Sequence, residues 1–353
     1  MSPSLPMKSL RVTNRLRGAL LPALALLLLG CLPKAPLEEV VGPVWPSAPE
    51  VPRIRHLRTL ASRQDLKSSR LKEFRDKLAG SETGERLDKP YAVTTDKRGR
   101  IYVTDSGNAC VLVFNDAPLK GEKPVSRLGA EGRGRLAEPA GIAIDTSGTI
   151  YVSDVKLGTV NCYDQDFKFL RSIGKQGEME RPAGMAFNTF TNELVVVDTK
   201  AHGLKFYRPD GSLVRATGTR GGGPGEYNFP SNVACDPQGL LYVVDSMNFR
   251  VQVLGSEGQP ITSFGQADQV PGSFTRPKGI ALDSEGHIYV ADAAFNNIQI
   301  FQDDGTLLLF FCDGGDGPGN LKMPAGLWID PQDRIYAVDQ LNKRLQIFQY
   351  LKQ

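Results

Sequence analysis

Three histidines, His56, His202 and His287, are the first candidates for metal or acid–base chemistry. No two stand at a local metal-binding spacing such as His-x-x-x-His. Their alignment puts His56 on an outer strand, His202 in a loop and His287 at the start of a second strand, so a converged zinc site is not expected. Carboxylates are more regular: Asp105, Asp154, Asp198, Asp245, Asp292 and Asp339 recur at one place in successive segments. An acid at the same place in every segment reads as an acceptor for backbone N–H groups in a turn, not as a catalytic ring. Gly221-Gly222-Gly223-Pro224-Gly225 has the glycine density of a phosphate cradle. It lacks the Lys-Ser/Thr ending and the strand-to-helix setting that a phosphate loop needs. Similar glycine runs return at Gly314-Gly315 and Gly317-Pro318-Gly319, which makes them connecting turns. Cys110, Cys162, Cys235 and Cys312 contain no Cys-x-x-Cys-His haem motif and are expected to be free thiols. No cofactor is expected.

The elements that must position these residues form a repeat of about 47 residues, the first thing to seek in a chain of this length. Six prolines open it: Pro90, Pro139, Pro182, Pro230, Pro277 and Pro324. In the fifth copy, Pro277-Lys278-Gly279-Ile280-Ala281-Leu282-Asp283 is followed by the turn Ser284-Glu285-Gly286. Then come His287-Ile288-Tyr289-Val290-Ala291-Asp292, Ile298-Gln299-Ile300-Phe301 and Thr306-Leu307-Leu308-Leu309-Phe310. Short apolar runs bounded by Asp/Gly turns are the pattern of four antiparallel strands. The fold expected is all-β: a six-bladed β-propeller of four-stranded antiparallel blades, with repeats starting near 87, 136, 180, 228, 274 and 321.

The unit resembles the NHL repeat. A proline and glycine precede a small-residue strand, followed by Ile-Tyr-Val-x-Asp, Asn-x-Arg and an apolar strand. Blades 4 and 6 match best, with Leu241-Tyr242-Val243-Val244-Asp245, Asn248 and Arg250, and with Ile335-Tyr336-Ala337-Val338-Asp339, Asn342 and Arg344. Blades 1, 2, 3 and 5 carry Cys110, Thr159, Gly203 and Asn297 at the arginine position. The resemblance runs over residues 87–350. It also brings two enzymatic comparisons. Lyases with this propeller use a histidine-bound zinc, for which the channel face here has too few histidines. Calcium-dependent lactonase-type propellers gather Glu, Asn and Asp at the channel mouth, as a hard cation requires. Here the first strands offer Tyr91 and Asn232 but otherwise Ala, Gly and Lys, so calcium is only a weak alternative.

The last repeat stops near Tyr350, one strand short, and an open blade edge invites aggregation. Residues 53–60, Arg-Ile-Arg-His-Leu-Arg-Thr-Leu, are expected to close the ring as the outer strand of blade 6. The connection to blade 1 then lies on the face that carries the loops between second and third strands. Within it, residues 69–79 read as a short helix with Leu71, Phe74 and Leu78 on one side.

Ahead of the propeller, Lys8, Arg11, Arg15 and Arg17 precede an uncharged apolar run over residues 18–30. A bilayer span needs about 20 residues, so this reads as a signal peptide. Leu28-Leu29-Gly30-Cys31 resembles the lipobox of bacterial lipoproteins. It implies that Cys31 becomes an acylated N-terminus, anchored firmly by several chains. Leu32 in place of Asp favours the outer membrane, with the propeller in the bacterial cell envelope. Residues 31–52, with Pro33, Pro36, Pro43, Pro46, Pro49 and Pro52, read as an extended tether.

The chain has 42 basic and 39 acidic residues; without the four basic groups of residues 1–30, 38 face 39, a net charge of −1. A near-neutral body lacks the electrostatic footprint of a nucleic-acid binder. Non-enzymatic binding of an envelope protein or ligand is the leading expectation. A divalent-metal hydrolase or lyase with a site in the channel is the alternative. Glycan or peptidoglycan binding is less favoured, because Trp45 and Trp328 are the only tryptophans. The candidate binding residues are Tyr91, Asn108, His202, Asn232, Asn248, Arg250, Lys278, Phe295, Asn297 and Arg344. Lys278 and Asn232 depart most from the small residues at their positions in other blades.

Overall fold

The computed structural model describes residues 42–66, 85–175 and 177–352. The signal peptide, Cys31, the start of the tether and the expected helix at 69–79 lie outside the described residues.

Six antiparallel sheets form six blades in a ring. Blade 1 runs Pro90–Thr95, Ile101–Asp105, Cys110–Phe114 and Val125–Leu128. Blade 4 runs Pro230–Cys235, Leu241–Asp245, Arg250–Leu254 and Pro260–Phe264. In each blade the opening proline pairs with the closing aspartate of the second strand, for example Pro277 with Asp292 and Pro324 with Asp339. The register also places Cys110, Thr159, Gly203, Arg250, Asn297 and Arg344 opposite those aspartates.

The core lies between blades, not within them. Six hydrophobic clusters each join two neighbouring blades. Second and third strands are therefore buried on both faces, and Ile101–Asp105 is buried throughout. First strands approach each other closely around the channel. A Cβ on Gly141 would sit 2.2 Å from the Ala183 carbonyl, and one on Gly279 would sit 2.2 Å from that of Ala325. This close approach explains the glycine two places after the proline.

The ring closes with Ile54–Leu60, antiparallel to Arg344–Tyr350. Leu57 falls at a bulge between His56 and Arg58, and its side chain is exposed. The strand does not end the sheet. Val44–Trp45, inside the proline-rich stretch, pairs with Ile54 and Arg55 as a fifth strand. Trp45 packs on Phe311 and Phe348, with ring centroids 5.8 and 5.9 Å apart. The end of the stretch read as tether is thus part of the folded body. Pro43 and Pro46 flank this edge and cannot donate ladder hydrogen bonds, which blunts it against further pairing.

Candidate functional site

The connections between blades and the turns between second and third strands share one face, the loop face. The aspartates that end the second strands hold it together, all of them fully buried. Asp292 accepts from the backbone N–H groups of Thr275, Arg276, Ala294 and Phe295 at 2.7–3.1 Å. Asp154 does the same for Ala137, Glu138, Lys156 and Leu157. In blades 4 and 6 an arginine completes the arrangement. Arg250 pairs with Asp245 and donates to the carbonyls of Gly223 and Glu226. Arg344 pairs with Asp339 and donates to those of Gly317 and Asn320.

Several candidate residues are engaged in this framework. Asn108 donates to the Arg86 carbonyl, and Asn248 donates to Gly221 O and Asp245. The His202 ring is buried, with Nδ1 3.2 Å from Tyr227 O and from Phe229 N, and it packs on Phe229. Phe295 belongs to the turn held by Asp292, and the buried Oδ1 of Asn297 has no partner among the described residues. Glutamines two residues after the arginine position were not among the candidates, yet they support the same loops. Gln252, Gln299 and Gln346 accept from Gly225, Gly272 and Gly319, respectively. The signal in the sequence was a glutamine in three copies, each downstream of a glycine-containing turn.

Tyr91 and Lys278 lie elsewhere, where the central channel opens on the loop face. A cavity of ≈ 260 Å³ there is lined by Tyr91, Ser106, Glu138, Arg181, Thr199 and Ser231, among others. Burial raises the Tyr91 phenol pKa, and the nearby Arg181 charge opposes that rise. Lys278 occupies the position of Tyr91 and Ser231 in blade 5, and its carbonyl accepts from Ser231 Oγ at 2.9 Å. Its Nζ has one long contact, 3.4 Å to Gln340 Oε1. Burial, aided by Arg276, lowers its pKa to about 8.

Around this mouth the charge is uneven. Lys89, Arg181 and Arg276 directly precede the opening prolines of their blades, and Lys156 follows Asp154 in its turn. With Lys278 they form five cations that make no salt bridge among the described residues, against one such carboxylate, Glu138. Nearby Lys200, Lys322 and Lys343 are paired with Glu180, Asp316 and Asp88. Leu157, Phe229, Met247 and Leu341 are exposed apolar side chains on the same face.

On the opposite side the channel widens to a cavity of ≈ 470 Å³. Its wall is largely apolar, with Met185, Phe187, Leu282 and Trp328, and includes Asn232, Asp236 and Cys235. Asn232 stands where four other first strands carry glycine and blade 1 carries Ala92, and its side chain lies over Gly184, whose Cβ would meet Oδ1 at 2.2 Å. Trp328 Nε1 donates to Thr95 Oγ1 at 2.9 Å. The four described cysteines are free, and burial raises the thiol pKa of each. Among the described residues no three His, Cys, Asp or Glu side chains cluster as metal ligands.

The fold and the repeats define a six-bladed β-propeller. The NHL repeat model matches residues 87–114 and 274–302. No curated protein matches the chain. Among solved structures, the chain is similar to a protein of unknown function from Bacteroides thetaiotaomicron. The identity is 13%, with 84% of this chain and 75% of that one covered, at a TM-score of 0.59. It is also similar to an auxiliary nutrient binding protein from the same organism, at 12% identity, 75% and 70% coverage and a TM-score of 0.59. Virginiamycin B lyase from Staphylococcus aureus is similar at 13% identity, 74% and 95% coverage and a TM-score of 0.55. At these identities the likeness is one of fold.

Proposed function

We propose that the chain is an exported lipoprotein of the bacterial cell envelope, anchored through acyl chains on Cys31, whose propeller is a non-enzymatic binding scaffold. Its working surface is the loop face. The observation that carries this reading is the charge at the channel mouth: five cations without salt bridges among the described residues, on a body of net charge −1. Unpaired like charges repel and cost stability unless a ligand neutralises them. The exposed Leu157, Phe229, Met247 and Leu341 add apolar contact to the same surface. Rigid strands beneath converging loops are the usual platform for such binding.

A hydrolase or lyase is the second reading, favoured by the ≈ 470 Å³ cavity on the other side, whose size suits a small-molecule site. Photo-crosslinkers placed in intact cells at Met247 and Leu341, and at Phe190 in a hairpin of the opposite face, separate the two. The scaffold reading expects one specific protein adduct from the two loop-face positions and none from Phe190. Turnover of a small ester or lactone by the purified chain, with no face-specific adduct, would replace it by the enzymatic reading.

A further inference from the structure

Resting on the loop face as the working surface, we propose that the channel mouth is a binding site for a small organic polyanion of the di- or tricarboxylate class. Arg181 in the cavity wall supplies charge and Tyr91 a hydroxyl donor, with Lys278 beside the wall residue Ser231. The cavity of ≈ 260 Å³ is large enough for such an acid. Its donors are available. Tyr91 and Thr199 line the cavity, and their hydroxyls make no hydrogen bond among the described residues. Arg181 makes no salt bridge, and its planar fork matches a carboxylate in two-point contact.

Lys278 is the most telling residue. Three of the six blades carry alanine at its position: Ala140, Ala183 and Ala325. A lysine there loses solvation and, among the described residues, its ammonium finds only the Gln340 side-chain oxygen. Burying an ammonium without a counter-charge is unfavourable. A bound carboxylate would supply that charge. Glu138, the one acid in the cavity wall among the described residues, opposes an anion there. It makes a built-in control, since its neutralisation should strengthen binding.

The test is calorimetric titration of the full chain, in mild detergent, with citrate, its neutral triethyl ester and inorganic phosphate. Citrate should bind saturably at one site, and affinity should fall as salt rises from about 0.05 to about 0.2 M. Arg181→Ala and Lys278→Met should each weaken it about tenfold or more, the loss expected for one charge-assisted contact. Glu138→Gln should tighten it. The inference fails if citrate gives no saturable heat up to about 10 mM. It also fails if phosphate binds as tightly, if the ester binds equally well, or if both weakening variants retain wild-type affinity. A single cooperative melting transition in each variant establishes that it is folded. Face-specific crosslinks persisting without citrate binding would overturn this site and leave the scaffold reading standing. Ester turnover without such crosslinks would overturn the scaffold.

Discussion

Lys278 is held at a cost that its own protonation exposes. Its folded pKa is lowered to about 8 from 10.5, mainly by burial. Between those values the unfolded chain binds more protons than the folded one, so stability rises with pH across that window. Below about pH 8 the full penalty is present. Lys278→Met keeps the stem and removes the charge. It should stabilise the protein at pH 7 by about 1–3 kcal/mol, and the gain should vanish as the pH approaches 10.5. Urea melts at pH 7 and pH 10 read this directly; a loss at pH 7 would mean that the ammonium is well solvated.

The buried aspartates behave oppositely. Asp292→Ala strands four backbone N–H groups and should destabilise by about 2–4 kcal/mol in urea melts. That role was legible, because an acid repeated in six copies has a repeated geometry to serve. A second set was not. Asp96, Asp145, Asp236, Asp283 and Asp330 accept the phenols of Tyr102, Tyr151, Tyr242, Tyr289 and Tyr336, six residues on. Blade 3 has lost both partners together, with Asn188 and Leu194 in their places. Arg250 and Arg344 look alike in sequence and are alike in structure. A solvent-facing arginine and one that braces a turn carry the same letter, and only the glycine-loop carbonyls beside them distinguish the two.

At the scale of elements, the closing strand could be read from the alternation of Ile54 to Leu60 and from the missing strand in blade 6. The fifth strand was hidden by proline. Pro43 and Pro46 suggest an extended spacer, and two residues are too few to show a period. What reveals Val44–Trp45 is tertiary: Trp45 finds Phe311 of blade 5 and Phe348 of blade 6, across the junction of those two blades. Trp45→Ala should cost about 3 kcal/mol, somewhat less if the edge relaxes, as measured by urea denaturation. A chain starting at Gly42 should fold. One starting at Ala61 leaves Arg344–Tyr350 as an open edge and should aggregate on expression. If that shorter chain were monomeric with an unchanged melting temperature, the ring would not need its N-terminal strand.

The whole molecule divides into a scaffold that repeats and a mouth that does not. Six inter-blade cores bind each blade to its neighbours, so stability is distributed around the ring. Metal removal is therefore a test at this scale. Structural calcium contributes to folding free energy by binding only the native state, and its withdrawal lowers the melting temperature. In this propeller the inner-strand glycines bring backbone against backbone at the channel wall, as between Gly279 and Ala325. Its buried carboxylates are saturated by N–H groups, arginines and phenols, which leaves them few lone pairs for a cation. Dialysis against EDTA should leave the melting temperature within about 1 °C of the untreated chain, a shift corresponding to well under 1 kcal/mol. A larger drop, restored by calcium or zinc at one equivalent, would place a metal in the channel and move the protein towards the enzymatic reading.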